Sequence, residues 1–178
     1  MTVDPADLQR RRFLADSARW TLAAASVSLL PSALAAAPPV HADTQVLARV
    51  RGGRVRGQRE HGIHVFRGLR YGADTGTYRF QPPRPETPWR GIADALTYGS
   101  AAPQGGRDGP GSEDCLFLNV WTPGLGDGGK RPIVFYIHGG AYNNGSGSDP
   151  LYDGGALARR GDVVVVTVNH RLNVFGYL

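Results

Sequence analysis

Two apolar runs set the terms for any fold of this chain. Val163 to Asn169 reads Val-Val-Val-Val-Thr-Val-Asn, and Pro132 to His138 reads Pro-Ile-Val-Phe-Tyr-Ile-His. Neither alternates apolar with polar residues, so neither suits a sheet with one wet face, and each predicts a strand covered on both faces. Between them lie a loop, Gly139 to Asp149, and a short helix predicted over Gly154 to Arg160, with Ala156, Leu157 and Ala158 as helix formers. Strand, loop, short helix and strand with apolar centres argue for an α/β architecture with a parallel core.

The upstream pattern is different. Val46 to Arg51 and Arg54 to Gln58 are predicted as two short strands joined at Gly52-Gly53, a tight hairpin turn. Ile63 to Leu69 alternates Ile63, Val65 and Leu69 with His64 and Gly68, a third strand. Tyr71 to Gly91 carries Pro82, Pro83, Pro85 and Pro88. Proline at that density removes ladder and helix hydrogen bonds, so a surface loop is expected, tied down by Phe80 and Trp89. A turn or short helix is expected over Asp94 to Tyr98, a loop over Gly105 to Gly111, a strand over Leu116 to Trp121 and an exposed glycine-rich turn over Gly124 to Lys130. Hydrophobic residues at 41% and charged residues at 20% exclude compositional disorder.

Arginine stands at 49, 51, 54, 56 and 59, and the net charge is +5. A polyanion-binding arm can look like that. The alternation with Val50, Val55 and three glycines fits a hairpin with a solvated face better, so no nucleic-acid partner is expected. No cluster has metal-ligand spacing and no glycine loop suits phosphate, so neither a metal nor a cofactor is expected. The single cysteine, Cys115, has no partner for an internal disulfide. It enters an apolar strand with no histidine near it, so a buried thiol is expected rather than a nucleophile.

Residues 1–37 read as a leader. Arg10-Arg11-Arg12-Phe13-Leu14 precedes a mildly apolar run, Trp20 to Leu30, which Pro31 breaks before the small residues Ala33 to Ala37. The Arg-Arg-x-Phe-Leu order resembles a twin-arginine export signal, implying a periplasmic or secreted bacterial protein and membrane contact only through that signal. An uncleaved anchor is the alternative, although the run is short for a span. Residues 38–45 are expected as a linker, and residues 46–178 as the folded domain.

Four stretches, in order, carry a likeness. They are Phe66 to Tyr71 followed by Arg79-Phe80-x-Pro82-Pro83; Glu113-Asp114-Cys115-Leu116-Phe117-Leu118-Asn119-Val120; His138-Gly139-Gly140-Ala141-Tyr142; and Val166 to Leu178. Together they resemble the type-B carboxylesterases, the family of bacterial nitrobenzyl-ester esterases and cholinesterases. The resemblance implies the N-terminal portion of an α/β-hydrolase fold: antiparallel hairpin strands leading into a mostly parallel core sheet, with the remainder lying beyond residue 178.

What the resemblance implies for chemistry is partial. The backbone N–H groups of Gly140 and Ala141 would form an oxyanion hole, with Gly139, Tyr142 and Asn143 lining the substrate pocket. A serine nucleophile in a Gly-x-Ser-x-Gly elbow, an acidic residue and a histidine would follow later in the chain. No Gly-x-Ser-x-Gly occurs among these 178 residues, and Ser146 lies in Gly145-Ser146-Gly147-Ser148 without the strand-to-helix context. His138 and His170 are expected to be structural. Glu113 and Arg79 are expected to form a buried ion pair, and Arg171 to pair with an acidic residue beyond the end. The family often has a cysteine at Ala102 bridged to the position of Cys115, so here that loop lacks its staple. Arg70 stands where a proline is usual and is expected to loosen its segment.

The expected function is carboxylic ester hydrolysis on small-molecule esters, the 178-residue chain alone being inactive and prone to aggregate through its open apolar end. Two other readings stay open: a non-catalytic, truncated or decayed member that binds partners on the same fold, and a binding module built on the basic hairpin.

Overall fold

The computed structural model describes residues 44–105 and 110–177. The leader expected over 1–37 lies outside the described residues, as does most of the linker. Thr44 and Gln45, assigned to that linker, already belong to the first strand.

The strands are β1 (Thr44–Val50), β2 (Gly53–Glu60), β3 (Ile63–Arg70), β4 (Ile92–Asp94), β5 (Phe117–Thr122), β6 (Ile133–Ile137) and β7 (Val164–Val168). They form one sheet in the order β1-β2-β3-β5-β7-β6, with β4 paired to β2. β1 to β3, β5 and β7 pair antiparallel along that path, and the β7/β6 ladder is parallel. The hairpin strands therefore lead into a parallel pair whose crossover contains the helix α1 (Gly155–Gly161), the arrangement a parallel connection needs.

The β1/β2 hairpin turns at Arg51-Gly52. Trp89 crosses it: its backbone N–H donates to the Gly52 carbonyl at 2.9 Å and its indole N–H to the Arg54 carbonyl at 2.9 Å. The proline-rich loop is thereby fastened to the sheet. Phe80, the other expected anchor, is 64% exposed and instead stacks on Phe175, with ring centroids 6.3 Å apart.

The turn or helix expected over Asp94 to Tyr98 does not form. Ile92–Asp94 pairs parallel with Arg54 to Arg56, and Leu96 bridges Arg67. β3 pairs with β2 only at its start, so an edge of β2 stays open for β4, where the Ala95 N–H donates to Arg56 at 2.7 Å. An unfilled backbone ladder outweighs the weak helical signal of so short a segment.

Ile63, Val65, Trp121, Ala158 and Val165 form one buried cluster, joining β3, β5 and β7 to α1. A second cluster gathers Ala102, Cys115, Leu116 and Leu172. Leu172 and Cys115 are fully buried, so the short helix α2 (Asn173–Gly176) starts from an anchored residue. α1 ends at Asp162, whose φ of 46° is left-handed. The Asp162 carboxylate accepts from Arg131 Nε at 2.7 Å, joining the helix end to the glycine-rich turn before β6.

β6 departs from expectation. It was expected to be covered on both faces, yet Ile133, Phe135 and Ile137 are more than half exposed. It stands last in the strand order, paired on one edge with β7. An exposed apolar edge strand of this kind invites strand addition. We expect the isolated 178-residue chain to associate through it. Ile133→Lys with Ile137→Lys should shift the chain toward monomer in size-exclusion chromatography, whereas an unmodified chain that already runs as a monomer would disprove the assignment.

Burial pushes the Cys115 thiol from its ordinary 9.0 up to about 11. The folded state thus keeps a proton that the unfolded chain releases. Its contribution to stability is complete below pH 9 and is lost as the pH rises toward 11. Tyr71 is likewise pushed up to about 12 mainly by burial, but the residue is 41% exposed, so solvent screening makes its loss at higher pH the smaller one. Denaturant titrations across pH 8 to 11 should show Cys115→Ala flattening the lower part of that decline, and an unchanged slope would refute it.

Candidate active site

The loop after β6 has an unusual backbone. Gly140 lies at φ 123°, Ala141 at 52°, Tyr142 at 61° and Gly145 at 107°. Two consecutive non-glycine residues in the left-handed region cost about 1–3 kcal/mol each, so the surroundings must impose the shape. The Gly140 carbonyl accepts from the Asn143 and Asn144 N–H groups at 3.0 and 3.2 Å, closing a tight turn. A side chain on Gly140 would overlap the Asn144 carbonyl oxygen, and one on Gly145 would overlap the His138 ring and the Gly139 carbonyl. Both positions require glycine on space as well as on φ.

Among the described residues, the Gly140 and Ala141 N–H groups find no acceptor. Ala141, Tyr142 and Asn143 are exposed. Gly140 itself is half-buried, so the two adjacent unsatisfied donors lie at the edge of an exposed turn. The structure brings together all five residues expected at the site, Gly139 to Asn143, because they are consecutive on one turn.

Residues from three other segments hold the turn. Gln104 grips Gly145 at both ends of its backbone, Nε2 donating to the carbonyl at 2.9 Å and Oε1 accepting from the N–H at 2.7 Å. Asn169 Oδ1 accepts from the Gly147 N–H at 2.7 Å and from Ser146 Oγ at 3.2 Å, while its Nδ2 donates to the Ser100 carbonyl at 3.0 Å. Thr167 Oγ1 donates to the Gly147 carbonyl at 2.6 Å. Asn173 donates its N–H to the Tyr142 carbonyl at 2.8 Å, and its Nδ2 to the carbonyls of Asn143 and Pro103. The sequence reading did not single out Gln104, Thr167 or Asn173, nor any role for the Asn119 and Asn169 side chains. The available signal was a polar residue inside an apolar strand, as at Asn119 and Thr167, both buried.

Ser146 is 4% exposed and its hydroxyl is bonded to Asn169 Oδ1, so it does not face solvent as a nucleophile would. His138 and His170 stack face to face, with centroids 4.6 Å apart and planes at 12°. His138 Nδ1 lies 2.8 Å from the Gly139 carbonyl oxygen. Tyr142 packs on Tyr177 at 4.5 Å, and the Tyr177 hydroxyl lies 3.3 Å from His170 Nδ1. A groove of about 400 Å³, lined by Tyr71, Leu118, Phe135, Ile137, Val168, His170 and Tyr177, opens beside these rings.

The expected Arg79–Glu113 pair forms, with Arg79 Nε 2.7 Å from Glu113 Oε2. It is a surface pair, since the Arg79 side chain is 58% exposed. The pairing holds Glu113 Oε below the ordinary carboxylate range. Arg171 donates to the Gln81 carbonyl at 2.8 Å, a partner within the described chain. Arg70 does not loosen its segment. It makes a two-pronged pair with Asp114, with Nη2 2.7 Å from Oδ2, and lies over the Phe117 ring at 4.5 Å. That pair ties the end of β3 to the start of β5, a role a proline there would leave empty.

Comparison with known proteins identifies the family. The model of the Carboxylesterase family matches residues 39–178. Para-nitrobenzyl esterase of Bacillus subtilis is 40% identical over 144 residues, covering 76% of this chain and 29% of the relative. Phenmedipham hydrolase of Pseudarthrobacter oxydans is 42% identical over 147 residues, covering 76% of this chain and 30% of the relative. The crystal structure of a Geobacillus stearothermophilus carboxylesterase superposes with a TM-score of 0.70 at 48% identity, covering 74% of this chain and 27% of that one. The chain thus spans less than a third of the length of these relatives. With the family model matched from residue 39 onward and the fold shared, the chain belongs to the carboxylesterase family and carries part of its α/β-hydrolase fold.

Proposed function

We propose that this chain supplies the oxyanion-binding part of a serine-dependent carboxylic ester hydrolase. The observation that carries the reading is the pair of N–H groups at Gly140 and Ala141, without an acceptor among the described residues, on a turn fixed from three sides. In acyl transfer, a nucleophile's oxygen bonds to the ester carbonyl carbon, and the carbonyl π electrons move onto oxygen as negative charge. Donors already aimed at that oxygen stabilise the charge without reorganising as it forms. The tetrahedral species then collapses, expelling the alcohol after it gains a proton, and water releases the acyl group by the same steps.

The nucleophilic serine, the acidic residue and the general-base histidine of this mechanism come from outside these 178 residues, as does a third N–H donor following the serine. The substrate is a small-molecule carboxylic ester, and the relatives are themselves named as esterases or hydrolases. Gly139, Tyr142 and Asn143 would border the reacting carbonyl. Exposed Tyr142 packed on Tyr177 favours esters with an apolar or aromatic group beside it. The reaction needs no metal or cofactor, and the basic hairpin is read as a solvated face, with Arg56 paired to Asp94 at 3.1 Å.

The leader supports export: Arg10-Arg11-Arg12-Phe13-Leu14 ahead of a weak apolar run suits a twin-arginine route to the periplasm or beyond. Periplasmic fractionation with N-terminal sequencing would locate the protein and show whether cleavage falls near Ala35 or Ala37.

In the protein expressed from its complete open reading frame, Gly140→Ala keeps the N–H but sets a Cβ against the Asn144 carbonyl oxygen, so the displaced turn should lower kcat on a short activated ester by about 10²-fold with KM nearly unchanged, the size of effect that loss of one oxyanion donor has. The isolated 178-residue chain should show no saturable turnover. Undiminished kcat in the folded variant, or turnover by the isolated chain that survives purification, would overturn the reading.

A further inference from the structure

We infer that Asn173 is a positioning residue for the turn bearing Gly140 and Ala141. The inference rests on the ester-hydrolase reading for its catalytic consequence, but its structural basis is independent. Asn173 is the first residue of α2 and has a φ of 53°. Asparagine tolerates that left-handed conformation better than most side chains. Glycine would adopt it with less strain, so conformation alone does not call for asparagine. What asparagine adds is a planar amide with two N–H donors, and both are used. One reaches the Asn143 carbonyl at 3.1 Å and the other the Pro103 carbonyl at 3.2 Å.

These bonds have a consequence because of what lies at each end. Asn143 closes the turn by donating to the Gly140 carbonyl, and the backbone N–H of Asn173 itself fixes the Tyr142 carbonyl at 2.8 Å. Ala141 and Tyr142, both left-handed, thus sit between the Gly140 turn and the Asn173 contact. Pro103 directly precedes Gln104, the residue that grips Gly145 at the far end of the same loop. Asn173 therefore joins the loop to its own brace. Behind it, Leu172 is fully buried with Ala102, Cys115 and Leu116, so the bracing amide projects from a fixed point. A rigid support of this kind matters because small displacements of groups aimed at a reacting atom are costly in rate.

The test uses two variants in the protein from its complete reading frame. Asn173→Gly keeps the backbone angle and the Tyr142 contact but removes both amide bonds. Asn173→Asp keeps the shape but sets carboxylate oxygens against two carbonyls. Both should lower kcat by about 10-fold or more with KM little changed. Binding of a trifluoromethyl ketone, which forms a tetrahedral adduct, should weaken in step with kcat/KM. Amide exchange across residues 140–143 should quicken, while exchange in β7 stays the same.

A variant that loses only thermal stability, with kcat and exchange at 140–143 intact, would show a merely structural role and overturn the inference. If the unmodified protein neither hydrolyses esters nor reacts with a serine-directed phosphonate, the ester-hydrolase reading fails. The exchange measurement then still decides whether Asn173 holds the turn.

Discussion

The side-chain amide of Asn119 is the contact on which most of this structure depends. It lies in β5 at 1% exposure, with β3 on one side and β7 on the other. The β3/β5 register shifts between Phe66 and Leu69, which leaves Gly68 out of the ladder. Asn119 Oδ1 accepts the Gly68 N–H at 2.9 Å. Its Nδ2 donates to Thr167 Oγ1 at 2.9 Å and to the Gly147 carbonyl at 3.2 Å. One amide thus satisfies a bulged strand, a neighbouring strand and the far end of the candidate active-site loop. Each buried polar group left unpaired would cost about 1–3 kcal/mol, so these three segments are coupled to β5 through it. An aliphatic residue at 119 would fill the space but release all three.

That coupling explains what was legible in the sequence. Strand positions were readable within a residue or two because apolar runs such as Val163 to Asn169 carry their own period. The helix after the loop was likewise found, since Ala156 to Ala158 favour it locally. The five consecutive residues of the turn were readable because glycine spacing is local information. Its supports were not. Gln104, Asn119 and the pair Asn169 and Asn173 come from separate stretches of sequence, and nothing local says which carbonyl each will meet. The same limit explains Arg70, whose role depends on Asp114 across the β3/β5 pair, and the segment after Gly91, whose strand exists only because β2 offers it an edge. The β6 reading had the residue types right, but both-face burial depends on neighbours that one segment's period cannot specify.

The loop itself is held against its own preferences. Ala141 and Tyr142 in left-handed conformations lie uphill, and the Gly140 and Ala141 N–H groups have no acceptor among the described residues. A chain free to relax would lower its energy by turning those donors inward. It is prevented at one end by Gln104 and Asn169, and at the other by Asn173, each acting through short, directed bonds from anchored segments. The cost of the turn is met by packing elsewhere: Leu172 and Cys115 in one cluster, Trp121 and Val165 in another. On the proposed reading this division of labour is the point of the design. A site meant to stabilise charge as it appears must hold its donors in place before the charge exists. Donors that were comfortable without a ligand would have to break bonds to serve one. The stacked pair of His138 and His170 fits the same logic, with the His138 ring against the Gly139 carbonyl and the His170 ring stacked on it, where a flexible side chain would let the glycines shift. Rigidity in this loop is therefore built from polar contacts spread over about 70 residues of sequence, Gln104 to Asn173, and a change at any of them should be felt at the same two N–H groups.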